Sequence, residues 1–346
     1  MKINTKFYQN TVFLFLTFAF FVSTADAQWQ KRTVDTKASL RGLSVVSEKV
    51  IWASGTGGTF LKTIDGGKNW TVGKVPDAEK LDFRDVEAFN ADTAYLLSIG
   101  AGESSRIYKT NDGGMSWELQ FKNANPKAFF DAFAFWNDKR GIAMSDPVDG
   151  KYLLISTEDG GRNWKPLPTD MMPPSQPGEA AFAASGTCIV TKGENDVWFV
   201  TGGAKARVFH STNRGLGWLV SFTQILSGAP SQGIFSIAFG AAKNGVIVGG
   251  DYQKPNESGR TLALSGDGVF WREADGLSGF RSGATFVDGK TIVAVGSSGS
   301  DISFDGGKIW KNLDKENYNA VQSKGKNAIW AVGAGGLVSK FTTSGK

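Results

Sequence analysis

One octapeptide recurs along the chain with a pattern too specific for chance. Thr63-Ile-Asp65-Gly-Gly67-Lys-Asn-Trp70 returns as Thr110-Asn-Asp112-Gly-Gly114-Met-Ser-Trp117, as Thr157-Glu-Asp159-Gly-Gly161-Arg-Asn-Trp164 and as Ser303-Phe-Asp305-Gly-Gly307-Lys-Ile-Trp310. Two copies are degenerate. Ser211-Thr-Asn213-Arg-Gly215-Leu-Gly-Trp218 has Asn in place of Asp, and the copy from Ser265 through Asp267 to Trp271 is one residue shorter. A fixed period of this kind is the signature of a repeat architecture, in which each unit buries its apolar face against its neighbours.

Each position in the box has a physical task. Asp accepts hydrogen bonds from backbone N–H groups of its own loop, the Ser or Thr hydroxyl adds a second local bond, and glycine supplies positive φ. Trp then buries on the order of 150–250 Å², worth about 4–6 kcal/mol before entropy. The box is a hairpin lock. It is a poor EF-hand, because each loop offers too few carboxylates at calcium-ligand spacing.

Short apolar strands lead into each box, among them Leu61–Thr63, Ile107–Thr110, Leu153–Thr157 and Val208–Ser211. Strands such as Ile51–Ser54, Tyr95–Ser98, Val197–Val200 and Ile329–Val332 precede them, and a further set begins earlier still. Four strands per repeat, with the box between the third and fourth, predict an all-β, seven-bladed β-propeller. Six boxes define six blades. The seventh has three C-terminal strands, and the stretch Trp29–Val34 supplies its missing fourth. The N-terminal strand is therefore expected to close the ring, removing two exposed sheet edges. The 44 glycines are turn residues, and a length of 346 residues forms one ring.

Residues 1–27 are expected to be a cleavable signal, with 28–346 the single propeller domain. Lys2 and Lys6 precede the apolar run Val12–Val22, which is too short to span a bilayer, and Ala25-Asp26-Ala27 offers a small-x-small cleavage site. Export to a periplasmic or extracellular space follows, as a monomer with no transmembrane segment after cleavage. Loss of this segment lowers the formal charge of +5 by one. Such a mild excess does not call for nucleic acid.

One cysteine and one histidine exclude a disulfide framework, a soft-ligand zinc site and any two-histidine mechanism. Cys188 is expected to be a buried thiol, and His210 structural or exposed. No glycine pair stands before a helix as a dinucleotide site requires, so no cofactor or metal is implied.

The D-G-G-x-x-W boxes, the apolar-W-A-[VS]-G strands and the box-free last blade resemble the Asp-box, or bacterial neuraminidase repeat, propellers. Within these, nearly the whole mature chain is most similar to the photosystem II stability and assembly factor family. That resemblance implies an exported seven-bladed propeller acting as a chaperone or assembly scaffold, binding protein through a charged face. Members also occur in non-photosynthetic bacteria, so the photosynthetic role does not travel with the fold. Asp-box propellers also include sialidases and xyloglucan-cleaving hydrolases.

Arg41, Arg84, Asp131 and Arg281 begin the inner strands of four blades and are expected to cluster at one channel mouth. Arginines converging there suit a carboxylate-bearing protein or peptide partner. Asp146 and the pair Asp251-Tyr252 lie in second-to-third-strand loops on the same face, near the proline-rich segment Pro166–Glu179, a stiff loop placed to cover part of it. The alternative is glycan binding or glycoside hydrolysis, with Asp131, Asp146, Asp251 and Glu179 as carboxylates and Tyr252 as a nucleophile. Against it, the F-R-I-P motif of sialidases is absent; Phe83-Arg84-Asp85 and Phe280-Arg281-Ser282 are partial echoes.

Overall fold

The computed structural model describes Met1 and residues 28–342; the expected signal segment lies outside the described residues beyond Met1. The chain forms a seven-bladed β-propeller. Blade 1 comprises strands Leu40–Val45, Ile51–Gly55, Thr59–Thr63 and Thr71–Lys74, hydrogen-bonded in that order. Blades 2, 3, 4 and 6 repeat this antiparallel meander, with inner strands starting at Asp82, Phe130, Ile189 and Gly283. Blade 5, starting at Gln232, is extended by two short strands, Glu179–Ala180 and Gly202–Gly203, which stitch it to the connection leading into blade 4.

The ring closes as the sequence predicts. Blade 7 consists of Tyr318–Ser323, Ile329–Gly333 and Val338–Thr342 with the N-terminal strand Gln28–Arg32 added on the outside. The register makes Trp29 the counterpart of Trp70. Ile51 pairs with Thr63 and Lys62 with Thr71, just as Ile329 pairs with Phe341 and Lys340 with Gln30. Trp29 packs on Tyr318 and Phe341 at centroid distances of 5.2 and 5.1 Å, and its indole N–H donates to Ser300 Oγ of blade 6.

The box turns are locked as their chemistry dictates. In the first, Thr63 Oγ1 donates to Asp65 Oδ1 at 2.8 Å and accepts from Gly67 N–H, while Lys68 and Asn69 N–H donate to Asp65 Oδ1. The hydrogen bonds from Asn69, with Thr63 and Lys68, hold the Asp65 carboxyl down at about 2. The same hydroxyl-to-carboxylate bond joins Thr110 to Asp112, Thr157 to Asp159, Ser265 to Asp267 and Ser303 to Asp305; in the degenerate copy Ser211 bonds Asn213.

The second glycine of the box has a further task that links neighbouring blades. Gly67 has φ of 82°, and a Cβ there would collide with the Trp330 ring of blade 7. By register Trp330, Trp52, Tyr95 and Trp198 are equivalent. Tyr95 O–H donates to Gly160 O of the next box, and Trp198 Nε1 to Gly268 O. Lys62 reaches over the Trp52 ring to donate to Gly113 O, and Lys109 over Tyr95 to Gly160 O. The box is thus both a turn lock and a socket for the preceding blade.

Candidate functional site

In this meander the first-to-second-strand loops and the box turns share one face. The second-to-third-strand loops and the starts of the inner strands share the other. At that second mouth the sequence leads one to expect a channel partly covered by the proline-rich loop, and the chain fills it more deeply than that. The connection from blade 3 to blade 4, Leu167–Cys188, is far longer than its counterpart Val75–Leu81 between blades 1 and 2. Its proline-rich part is pinned at the side by Lys151 Nζ to Thr169 O, Ser175 N–H to Gly150 O and Arg207 Nη2 to Pro174 O.

The following residues cross the channel. Arg84 Nη1 of blade 2 donates to Ala183 O and Arg41 Nη1 of blade 1 to Ala184 O, both at 3.1 Å. Ser185 Oγ donates to Ser282 O of blade 6, and Thr187 Oγ1 to Ser236 Oγ of blade 5. Phe182 stacks on Phe235 at 3.8 Å, with 9° between the rings. Gly186 has φ of 72° and lies against the Asp85 carboxylate, where a Cβ would collide. Residues 182–187 are therefore a plug, tied to blades 1, 2, 5 and 6.

Above the plug is a cavity of about 470 Å³. One wall is aromatic: Phe182, Phe235, Phe280 and Tyr252, with Phe280 edge-on to Phe235 at 4.7 Å and Tyr252 edge-on at 6.1 Å. Another carries Arg41 and Arg84, and Tyr318, Asn317, Asn319, serines and alanines complete the lining; no carboxylate is among these residues. Arg84 has a partner in Asp82, its Nε 2.8 Å from Oδ2. Arg41 forms no ion pair among the described residues. Burial and then the neighbouring Arg84 charge push its guanidinium down to about 10, against the attraction of Asp82. Two partly desolvated cations facing one cavity, with one carboxylate between them, are electrostatically incomplete. An anion relieves that imbalance.

The other expected site residues divide sharply. Arg281 does not join the mouth. It is fully buried, its Nε 2.8 Å and Nη2 2.6 Å from Asp301 Oδ2, with Ser278 Oγ, Ser298 Oγ and Phe280 O taking its other N–H groups. A guanidinium beside a carboxylate on the next strand but one saturates there, and the inner-strand position alone cannot reveal it. Glu179 is also withdrawn. It forms a buried two-point ion pair with Arg207, its Oε1 2.8 Å from Nε and Oε2 2.5 Å from Nη2, and accepts from Thr201 O–H and Gln176 N–H. That pair anchors the insert.

Asp131 is buried, with Oδ2 lacking a hydrogen-bond partner; burial and then the Asp146 charge push its carboxyl well above the usual range. Asp146 accepts from Ala181 N–H at 2.8 Å, and burial raises it to about 6. At Asp251, burial pushes upward, but bonds from Ser231, Gln232 and Gln253 N–H outweigh it and the carboxyl stays below its ordinary value. Tyr252 alone of the catalytic candidates lines the cavity, and its ring is exposed. Asp131, Asp146, Asp251 and Glu179 are thus spent on structure or set back from the cavity. Cys188 is buried, and His210 is buried, stacked on Trp198 with Nε2 2.8 Å from Asp196.

The sequence reading missed the aromatic wall and the plug. Their one signal is the run Ala180-Ala-Phe-Ala-Ala-Ser-Gly186, small and apolar where a surface connection is usually polar. Beneath the plug lies a second, smaller cavity of about 240 Å³, lined by Asp85, Glu87, Thr191 and Gln322. Burial raises Glu87 to about 7, opposed by the charge of Lys324.

Residues 21–118 match the family model described as photosynthesis system II assembly factor YCF48. No curated protein matches the chain. Among solved structures, it is similar to YCF48 bound to D1 peptide, with 16% identity, a TM-score of 0.67 and coverage of 91% of this chain and 97% of that one. It is also similar to YCF48 from Cyanidioschyzon merolae, with 19% identity, a TM-score of 0.60 and coverage of 91% and 99%. At these identities the likeness establishes the fold. Among the described residues no helix is long and apolar enough to cross a membrane.

Proposed function

We propose that this chain is an exported binding or assembly scaffold that takes a peptide segment of a protein partner into the cavity beside Arg41 and Arg84. One observation carries the reading: Arg41 faces that cavity partly buried, next to a second guanidinium and without an ion pair among the described residues. A carboxylate of the partner, at a side chain or chain end, supplies the missing charge through hydrogen bonds that are stronger than neutral ones. The aromatic wall takes an apolar side chain next to it, since large rings bury area at low conformational cost. The similar structure of YCF48 bound to D1 peptide supports a peptide as the kind of ligand.

The plug shapes what can bind. It closes the channel beneath the cavity, so a ligand enters and leaves by the same mouth. Backbone carbonyls at Ala183 and Ala184 hold one N–H of each arginine, which fixes the guanidinium planes before a ligand arrives and lowers the ordering cost of binding. Arg281 serves the scaffold here, and the glycan-cleaving alternative gains no observation, because no carboxylate among the described residues lines the cavity.

The test is retention on the immobilised propeller of synthetic peptides that pair an aromatic residue with Asp, Glu or a free terminus, each matched by its amide. Selective retention of the carboxylate forms is expected. Equal retention of carboxylate and amide forms, or none of either, overturns the reading.

A further inference from the structure

The face opposite the cavity carries apolar side chains where turns are ordinarily polar. Phe270 is 75% exposed, Ile309 74%, Ile64 60% and Phe304 56%, and Met115 and Leu216 join them. All six lie within box turns, at positions not taken by the locked Ser or Thr, Asp or Asn, glycine and Trp. They belong to blades 1, 2, 4, 5 and 6, while the box of blade 3 is polar, with Glu158 paired to Arg140 and Arg214. The arc thus runs from blade 4 through blade 7 to blade 2.

Two further observations say what covers this arc. The first is charge. The carboxylates of Asp65 and Asp305 are turned onto N–H groups of their own loops. Lys68 and Lys308 in the same turns are exposed, as are Lys49, Lys290, Lys324 and Lys326 in neighbouring loops of blades 1, 6 and 7. Lys326 pairs with Asp288 at 3.2 Å and Glu48 stands beside Lys49, so with Asp65 and Asp305 the six lysines of these turns and loops face four carboxylates, a local excess of positive charge. The second is where the chain enters the ring. Gln28 pairs with Thr342 at the box end of blade 7, where that blade lacks a turn. The apolar run Val12–Val22 precedes it in sequence. Five residues separate that run from Gln28, so while the run meets a bilayer the box end of blade 7 is the part of the ring nearest to it along the chain.

We infer that the box-turn face docks on an anionic lipid surface, with Phe270, Phe304, Ile309 and Ile64 entering the headgroup boundary and the lysines meeting lipid charge. Apolar tips backed by basic groups are the pattern of interfacial binding. Each tip rides on a turn locked by its own hydrogen bonds, so little ordering is lost on docking. The cavity mouth then points away from the membrane.

The propeller of residues 28–346, which holds every described strand, is sedimented with vesicles of pure phosphatidylcholine and with vesicles rich in phosphatidylglycerol. Binding to the anionic vesicles is expected, weakened at least about tenfold in Phe270→Ser/Phe304→Ser/Ile309→Ser. Those side chains are exposed, so an unchanged melting temperature confirms that the variant folds. As a second readout, Ile309→Cys carrying an environment-sensitive dye should shift to the blue only with the anionic vesicles; Cys188 is buried and stays unlabelled. Failure to bind, binding undiminished by the triple substitution, or a dimer that the triple substitution dissolves would each overturn the assignment.

Discussion

Arg41 Nη1 lies 3.1 Å from Ala184 O, joining blade 1 to a segment that arrives from blade 3. With the parallel bond from Arg84 to Ala183, it turns a propeller channel into a blind cavity with two aimed cations. The plug is accordingly a part of the site as well as of the core.

Gly186 holds the plug in place. Its φ of 72° disfavours any residue with a Cβ, and Asp85 leaves no room for one. Gly186→Val should lower stability by about 2–4 kcal/mol through strain and overpacking. Hydrogen exchange should show faster exchange at Phe182–Ser185; unchanged protection would mean that the plug does not depend on this contact.

Arg281 and Arg41 should respond oppositely to truncation. Removing Arg281 leaves Asp301 buried and unpaired, so Arg281→Ala is expected to cost about 3–5 kcal/mol in denaturant unfolding. Arg41→Ala removes a cation that has no ion-pair partner together with its bond to Ala184 O, and stability should fall by only about 0.5–1.5 kcal/mol. Equal losses in the two variants would refute the division between scaffold and site.

Acid and near-neutral pH should act on different carboxylates. The hydrogen bonds that pull Asp65, Asp112 and Asp159 down to about 2 contribute stability present above the ordinary Asp range, lost as pH falls from about 4 toward 2. Glu87 has the opposite sign. Burial raises it to about 7, so its contribution is favourable below about 4.5 and is lost as pH rises through 7. Thermal melts across pH should show the acid limb flattened in Asp65→Asn/Asp112→Asn/Asp159→Asn, and the near-neutral decline flattened in Glu87→Gln.

Ring closure rests on the strand Gln28–Arg32. Trp29→Ala removes the contacts with Tyr318 and Phe341 and should cost about 3 kcal/mol. Deleting residues 29–36 should lower the melting temperature further by reopening two sheet edges. A deletion that melts with the intact chain would contradict closure.

The fold was legible because its repeat is local. Thr63, Asp65, Gly67 and Trp70 write a turn into eight residues, and six copies set six of the seven blades. Trp29 could be assigned to blade 7 by analogy with Trp70 because a register repeats. Of the residues expected at the candidate site, Arg41, Arg84 and Tyr252 line the cavity. Arg281 occupies a similar strand position, but Asp301, on another strand, decides its fate. Glu179 likewise finds Arg207 across a fold. Phe182, Phe235 and Phe280 carry no motif, and their stacking arises only when a long connection threads the channel. Repeats encode geometry once per blade, whereas the cavity depends on what breaks the repeat.

The central claim is a carboxylate-binding cavity at Arg41 and Arg84, and calorimetric titration tests it most directly. The carboxylate peptide best retained by the native propeller is titrated into the native chain, Arg41→Glu, Arg84→Glu and, on an exposed outer strand, Lys165→Glu. Losing a desolvated charge pair costs about 2–5 kcal/mol, so affinity should fall by roughly 30-fold or more at Arg41 and Arg84 with melting temperatures retained, and stay unchanged at Lys165. Affinity that survives both arginine reversals, or falls equally at Lys165, would contradict it.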